Sequence, residues 1–209
     1  MNIWKLKKNN KNFTEEVWNS KEWLNKIEKK IKNNLKSIKS KKSIKINTFC
    51  AESPLPLMLL NVNKKIKILD FGAGSLEMPF KMAFDTIINS NIQIDIIESK
   101  KLINFYKIAF RKIKLPKNIK INFIDKINFK NKYDIFHLSD SFQYVENWQQ
   151  FIKNMKKNSP NLIIFNNLTA GENPNYLALQ KFYEYQIPYR FYNIKEIVSE
   201  MKPFKLVYK

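Results

Sequence analysis

Two of the three glycines in this 209-residue chain, Gly72 and Gly74, stand two positions apart in the stretch Asp70-Phe71-Gly72-Ala73-Gly74. Glycine reaches positive φ without a Cβ penalty and lets other atoms lie against bare backbone. A chain that otherwise avoids glycine has therefore put two of them where something must come close. Alternation in Ile66-Lys67-Ile68-Leu69-Asp70-Phe71 predicts a strand, and Leu76, Phe80, Ala83, Phe84, Ile87 and Ile88 repeat at helical spacing after it. The glycines thus fall where a strand turns into a helix, so backbone amides and a positive helix end face a ligand crevice. A dinucleotide site would place a third glycine where this chain has Glu77, and that carboxylate would repel a pyrophosphate.

The elements that must position this loop follow in order. Ile92 to Glu98 reads as a second strand, followed by a helix marked by Leu102, Tyr106, Ala109, Phe110 and Ile113. Strands are expected at 119–124, 133–138 and 162–165, with a helix through Trp148, Phe151, Ile152 and Met155 and another beginning near Asn193. Such alternation predicts an α/β fold with a mostly parallel sheet covered on both faces. Glu98 and Asp125 close successive strands, as Asp70 nearly closes the first. Ahead of this unit, Leu24, Ile27, Ile31, Leu35 and Ile38 mark an amphipathic helix with Ser20 as N-cap; its stripe packs on the main domain or lies on a membrane surface. The expected division is a lysine-rich helical extension and linker over 1–62 and a ligand-binding domain over 63–209.

With Asp70, Gly72, Gly74, Glu98 and Asp125 in this order, the chain resembles class I S-adenosylmethionine-dependent methyltransferases. The resemblance implies a Rossmann-like sheet and S-adenosylmethionine as cofactor. It implies that Asp70 orders the loop and helps hold the methionine amino group, that Glu98 grips both ribose hydroxyls, and that Asp125 contacts the adenine amino group. A carboxylate accepts two hydrogen bonds at once, as a vicinal diol requires. Ser75 and Lys100 are expected to border the same site, and Ser139 to contribute to it.

The stretch 133–152 and the late stretch 185–193, with Tyr185, Pro188 and Tyr189, also resemble a group of methyltransferase-like proteins from bacterial surface-polysaccharide gene clusters, as does Val17 to Lys26. That resemblance implies a small-molecule or glycan-precursor acceptor and O-methylation. The chain departs from the group at Asn166-Asn167-Leu168-Thr169, where an Asp-Arg-Thr-Pro segment is usual, and no seventh strand remains after Phe204 to Lys209, so the terminal antiparallel strand of the fold is expected to be missing. For catalysis the candidates are His137, the only histidine, Asp140 and Tyr144. His137 lies inside a predicted central strand, which favours a structural histidine; Asp140 and Ser141 could equally cap the next helix. For the acceptor they are Gln143, Tyr189 and Arg190, the last as a bidentate partner for an acidic group. The aromatic stretch 176–192 is expected to close over the acceptor. No metal site is expected.

The formal net charge of +20 invites a nucleic-acid partner, yet only two of the 38 basic residues, Arg111 and Arg190, are arginine. Guanidinium suits bidentate phosphate contacts, so lysine dominance favours a base-composition bias over a binding face. The chain lacks a signal-peptide pattern, an apolar run long enough to span a membrane and a second cysteine to pair with Cys50, which gives a cytoplasmic protein as the expectation. Three functions stay open: a small-molecule or glycan O-methyltransferase, an RNA methyltransferase, and a binding protein that keeps the fold without turnover. Oligomeric state is not legible.

Overall fold

The computed structural model of the chain describes residues 4–6, 17–39, 55–59, 64–85, 90–111 and 113–207. A short strand β1 (Trp4–Leu6), a 3-10 turn (Val17–Asn19), helix α1 (Lys21–Lys39) and a single turn α2 (Leu55–Met58) come first. Then follow β2 (Ile66–Phe71), α3 (Glu77–Phe80), β3 (Ile92–Ile97), α4 (Lys100–Phe110), β4 (Ile119–Ile124), β5 (Ile135–Ser139) and α5 (Trp148–Lys157). The chain continues through β6 (Leu162–Asn166), β7 (Ala170–Gly171), β8 (Tyr176–Phe182), β9 (Tyr185–Asn193) and α6 (Ile194–Glu200).

Five strands form the central sheet in the order β4-β3-β2-β5-β6, and every pairing is parallel. This is a Rossmann-like α/β sheet. Strand order reverses between β2 and β5, so the carboxyl ends of these two neighbours flank the crevice where such folds take ligands. Alternation sorts the side chains onto two faces. Ile66, Ile68, Ile92, Ile94 and Ile96 join Ile27 and Ile31 of α1 and Tyr106 of α4 in one core. Leu69, Phe136 and Leu138 join Trp148, Ile152 and Met155 of α5 in the other.

α1 starts as its sequence indicates, with Ser20 Oγ accepting the Trp23 N–H at 3.3 Å. Its apolar stripe packs on the sheet side; Ile27 and Ile31 are fully buried, each contributing about 1.5–3 kcal/mol. Among the described residues no helix is long and apolar enough to cross a membrane.

Several elements differ from the sequence reading. The helix expected from Leu76 to Ile88 is one α-turn followed by a π-helical turn, Lys81–Asp85; Ile87 and Ile88 lie outside the described residues. α4 ends at Phe110, leaving Ile113 beyond it with its N–H on the Phe110 carbonyl. The strand expected over 133–138 starts two residues later, because Tyr133 donates its N–H to the Asn158 side chain. Residues 204–207 form no strand. The central sheet has no antiparallel member among the described residues.

An antiparallel pair occurs elsewhere. The aromatic stretch 176–192, given no strands from sequence, is the hairpin β8–β9, which turns at Tyr183 with φ 54° and belongs to a second sheet ordered β1-β8-β9-β7. Pro188 is tolerated in β9 because β7 pairs only with Tyr192 and Asn193, leaving β9 one neighbour at Pro188 among the described residues. Asn193 then caps α6 through Oδ1, which accepts the N–H groups of Lys195 and Glu196.

Candidate functional site

The turn after β2 is held from four sides. Gly72 donates its N–H to the Ile97 carbonyl at 3.0 Å, and the Ser141 hydroxyl donates to the Phe71 carbonyl at 2.7 Å. Gly74 donates its N–H to Glu98 Oε1 at 2.9 Å, and the buried Tyr106 hydroxyl donates to the Gly74 carbonyl. Both glycines have positive φ, +73° and +51°. They differ in what surrounds them: a Cβ on Gly72 would meet Ser141 Cβ at 2.6 Å, whereas one on Gly74 would meet nothing within 4 Å. Gly72 is required by packing inside the protein. Among the described residues Gly74 borders open space; its N–H and carbonyl are bonded to Glu98 and Tyr106, so the missing side chain leaves room for a ligand to approach the turn closely.

This turn forms one end of a cavity of about 740 Å³ that extends over the carboxyl ends of β2, β3, β4 and β5. Asp70, Glu98 and Asp125 line it together with Ser75, His137, Ser139 and Asp140. Positive φ recurs at its rim, at Gly72, Asp140 and Asn167, so the chain turns sharply as it leaves β2, β5 and β6. Asp140 and Asn167 reinforce each other, with Asn167 Nδ2 donating to Asp140 Oδ2 at 3.0 Å, and Asn166 Nδ2 donates to Ser139 Oγ at 3.2 Å. Asn166 and Asn167 therefore brace the cleft floor where the resembling group carries a charged pair.

The acids sit in different environments. Glu98 is pushed above the usual carboxylate range by burial, against the pull of N–H donors from Ser99 and Gly74 and with a further push from nearby Asp70. Both its oxygens accept a backbone N–H, and each retains a second lone pair for a ligand. Asp70 is buried and its Oδ1 lies 2.8 Å from His137 Nδ1 on the adjoining strand. The contact joins His137 to Asp70 across the β2–β5 pairing, and both residues line the cavity.

The far end of the cavity is aromatic. Tyr144 and Tyr189 meet edge to face at 5.3 Å, and Trp18 stands over Tyr144 at 4.8 Å. Burial pushes the phenols of both Tyr144 and Tyr189 up, so at neutral pH they act as hydrogen-bond donors and not as bases. Tyr144 donates to Gln180 at 3.1 Å, and Tyr189 bonds Thr169 and Gln143.

Eleven of the twelve site residues named from sequence, Gly72 and Gly74 among them, line this cavity together with Ser75. Arg190 is the exception, and its position is a correction: it lines a separate shallow concavity with Glu146, Asn147, Trp148, Asn175 and Glu196. Alternation along β9 sends Tyr189 into the cleft and Arg190 to the other face.

 Lys100, expected at the border, is exposed at the first position of α4 and does not line the cavity. Helix α5 is capped by Asn147 through its Gln150 contact, which leaves Asp140 and Ser141 at the cleft.

Sequence reasoning missed the contribution of the amino-terminal segment. Trp18, Trp23, Ile27 and Lys30 line the cavity, as do Gln180, Phe182 and Ile187 of the hairpin. The available signal was two of the chain's four tryptophans within six residues, just ahead of an amphipathic helix. Among the described residues, the charged side chains lining the cavity are five carboxylates, Asp70, Glu77, Glu98, Asp125 and Asp140, and one lysine, Lys30, paired with Glu77 at 3.6 Å. In a chain of net charge +20, the described lining of the cleft is acidic.

No family model matches the sequence, and no curated protein is significantly similar to it. Among solved structures, the chain is similar to the [4+2]-cyclase SpnF at 17% identity, with 48% of this chain and 37% of that chain covered and a TM-score of 0.38. It is also similar to an S-adenosylmethionine-dependent methyltransferase from Clostridium acetobutylicum ATCC 824 at 13% identity, with 71% and 74% covered and a TM-score of 0.45. The chain thus spans little more than a third of the cyclase's length.

Proposed function

We propose that the protein is an S-adenosylmethionine-dependent methyltransferase that modifies a hydroxyl of a small molecule or glycan precursor. The observation that carries this reading is the convergence of Asp70, Gly74, Glu98 and Asp125 on one cleft at the switch point of a parallel sheet. Gly74 leaves room for close approach to the turn, Glu98 retains two acceptor sites for a diol, and Asp125 stands exposed at the next strand end. The cleft carboxylates favour a ligand bearing sulfonium and ammonium charges. When bound, the cofactor supplies an electrophilic methyl group to the acceptor. The chain's own part is to hold the acceptor in line and keep water out, with Asp140 at the rim as the group able to take the hydroxyl proton.

The same electrostatics count against the RNA reading. The net charge of +20 would draw a phosphodiester to the surface, but five carboxylates around the cavity oppose its entry. The glycan arm of the proposal rests on the sequence resemblance.

Calorimetry with S-adenosylhomocysteine tests the cofactor assignment directly. The expected result is saturable binding that Glu98→Ala weakens by about 1–3 kcal/mol, the scale of a lost charged hydrogen bond. Binding of a nicotinamide dinucleotide with no heat from S-adenosylhomocysteine would overturn it.

A further inference from the structure

The acceptor end of the cleft is built for a flat apolar ring. Trp18 and Trp23, from the segment ahead of the sheet, meet at 5.5 Å, and both contact Phe182 of the hairpin, at 5.6 and 5.4 Å. Tyr144 completes the group from the other side of Trp18. All four rings are only half-buried and all line the cavity, so aromatic surface is open to a ligand there. Ile187 and Pro188 extend this surface.

The polar atoms at this end are largely engaged with one another. Tyr144 donates to Gln180, and Tyr189 is bonded to Thr169 and Gln143. A polyol would have to break these bonds or leave its own hydroxyls unsatisfied, and either is costly. An anionic acceptor fares no better. Lys30 is the only lysine or arginine lining the cavity among the described residues, and it is paired with Glu77. Arg190 faces the other way.

We infer that the acceptor is a neutral, planar, largely apolar ring compound carrying a hydroxyl, gripped between Trp18, Trp23, Phe182 and Tyr144. This deepens the methyltransferase reading and rests on it. Aromatic faces hold such rings by offset and edge-on contacts, with sequence elements from both sides of the cleft closing on them.

The test uses the full chain and 2-naphthol as probe, with methyl α-glucoside and glucose 1-phosphate alongside, each titrated with and without S-adenosylhomocysteine. The expected result is saturable binding of 2-naphthol that is tighter than that of either sugar. Trp18→Leu and Phe182→Leu should each weaken it by about tenfold, the effect of one lost ring contact, with S-adenosylhomocysteine affinity retained. Because the two residues sit on different elements, a folding failure in one variant leaves the other as the readout. Tighter binding of either sugar, no saturable naphthol binding, or unchanged naphthol affinity in a folded variant would overturn the inference. Failure of S-adenosylhomocysteine to bind the wild-type protein would instead remove the cofactor reading, while the naphthol titration would still report on the ring site.

Discussion

Ser141 occupies the space that a side chain on Gly72 would need, with its Cβ 2.6 Å from where a Cβ at Gly72 would lie. Its hydroxyl meanwhile ties β2 to the turn after β5 by donating to the Phe71 carbonyl. The two neighbouring strand ends are thereby locked at a single separation, which sets the width of the cleft between them.

Gly72→Ala therefore suffers twice, from positive φ and from the clash. A loss of about 2–4 kcal/mol is expected, seen as a lower melting temperature. Gly74→Ala meets no atom and should cost the fold about 1 kcal/mol while weakening S-adenosylhomocysteine binding. Thermal melts and calorimetry on the two variants separate these outcomes, and Ser141→Gly should partly rescue Gly72→Ala.

The raised carboxyl of Glu98 predicts a pH dependence. A carboxylate whose folded pKa lies above its unfolded value contributes stability below the unfolded value and loses it as pH rises through the folded value. Ligand binding runs the other way, because a diol donates to the ionised form. S-adenosylhomocysteine affinity should fall as the solution is acidified, beginning above the ordinary glutamate range, and Glu98→Gln should flatten that profile in a calorimetric pH series.

Asp95, buried within β3, is the opposite case. Burial pushes its carboxyl up, but hydrogen bonds from Asn122, Gln93 and Tyr133 and the charge of Lys67 outweigh it, so its pKa is lowered. Its contribution is present above the unfolded value and is lost as pH falls through the folded one. Asp95→Ala, which strands these donors, should cost about 1–3 kcal/mol at neutral pH and reduce the acid dependence of urea denaturation midpoints.

Tyr106 reaches from α4 to the Gly74 carbonyl, so Tyr106→Phe should remove about 0.5–1.5 kcal/mol of stability. Its stronger effect is expected on S-adenosylhomocysteine affinity, since the loop loses its anchor. Equal affinity for variant and wild type would show that the remaining loop contacts suffice.

Arg190→Ala should leave S-adenosylhomocysteine affinity and methyl transfer within about twofold of wild type, as a change away from the cleft does. Steady-state kinetics with any accepted substrate would check this.

Much of this architecture is written in local pattern. Two-residue alternation gave β2 and β3, and three-and-four spacing gave α1, because each depends on which residues a single element turns toward its own core. Gly72 and Gly74 stood out because glycine is rare here, and Asp70, Glu98 and Asp125 because each falls at or near the end of a successive predicted strand and matches an acidic position of the resembling family. What the linear chain could not convey is which distant elements meet. The alternation of β9 could be read only once the stretch was known to be a strand, and its mixture of large aromatics, Pro188 and Arg190 hid that. Trp18 and Trp23 became cleft residues because the stripe on α1 docks on the sheet beside β2 and brings the preceding turn over its carboxyl end. The acidic lining, too, exists only in the folded state, since five carboxylates scattered over seventy positions of a basic chain converge when parallel strands align their ends. Side-chain periodicity is a local property, whereas the identity of a pocket's far wall depends on tertiary packing.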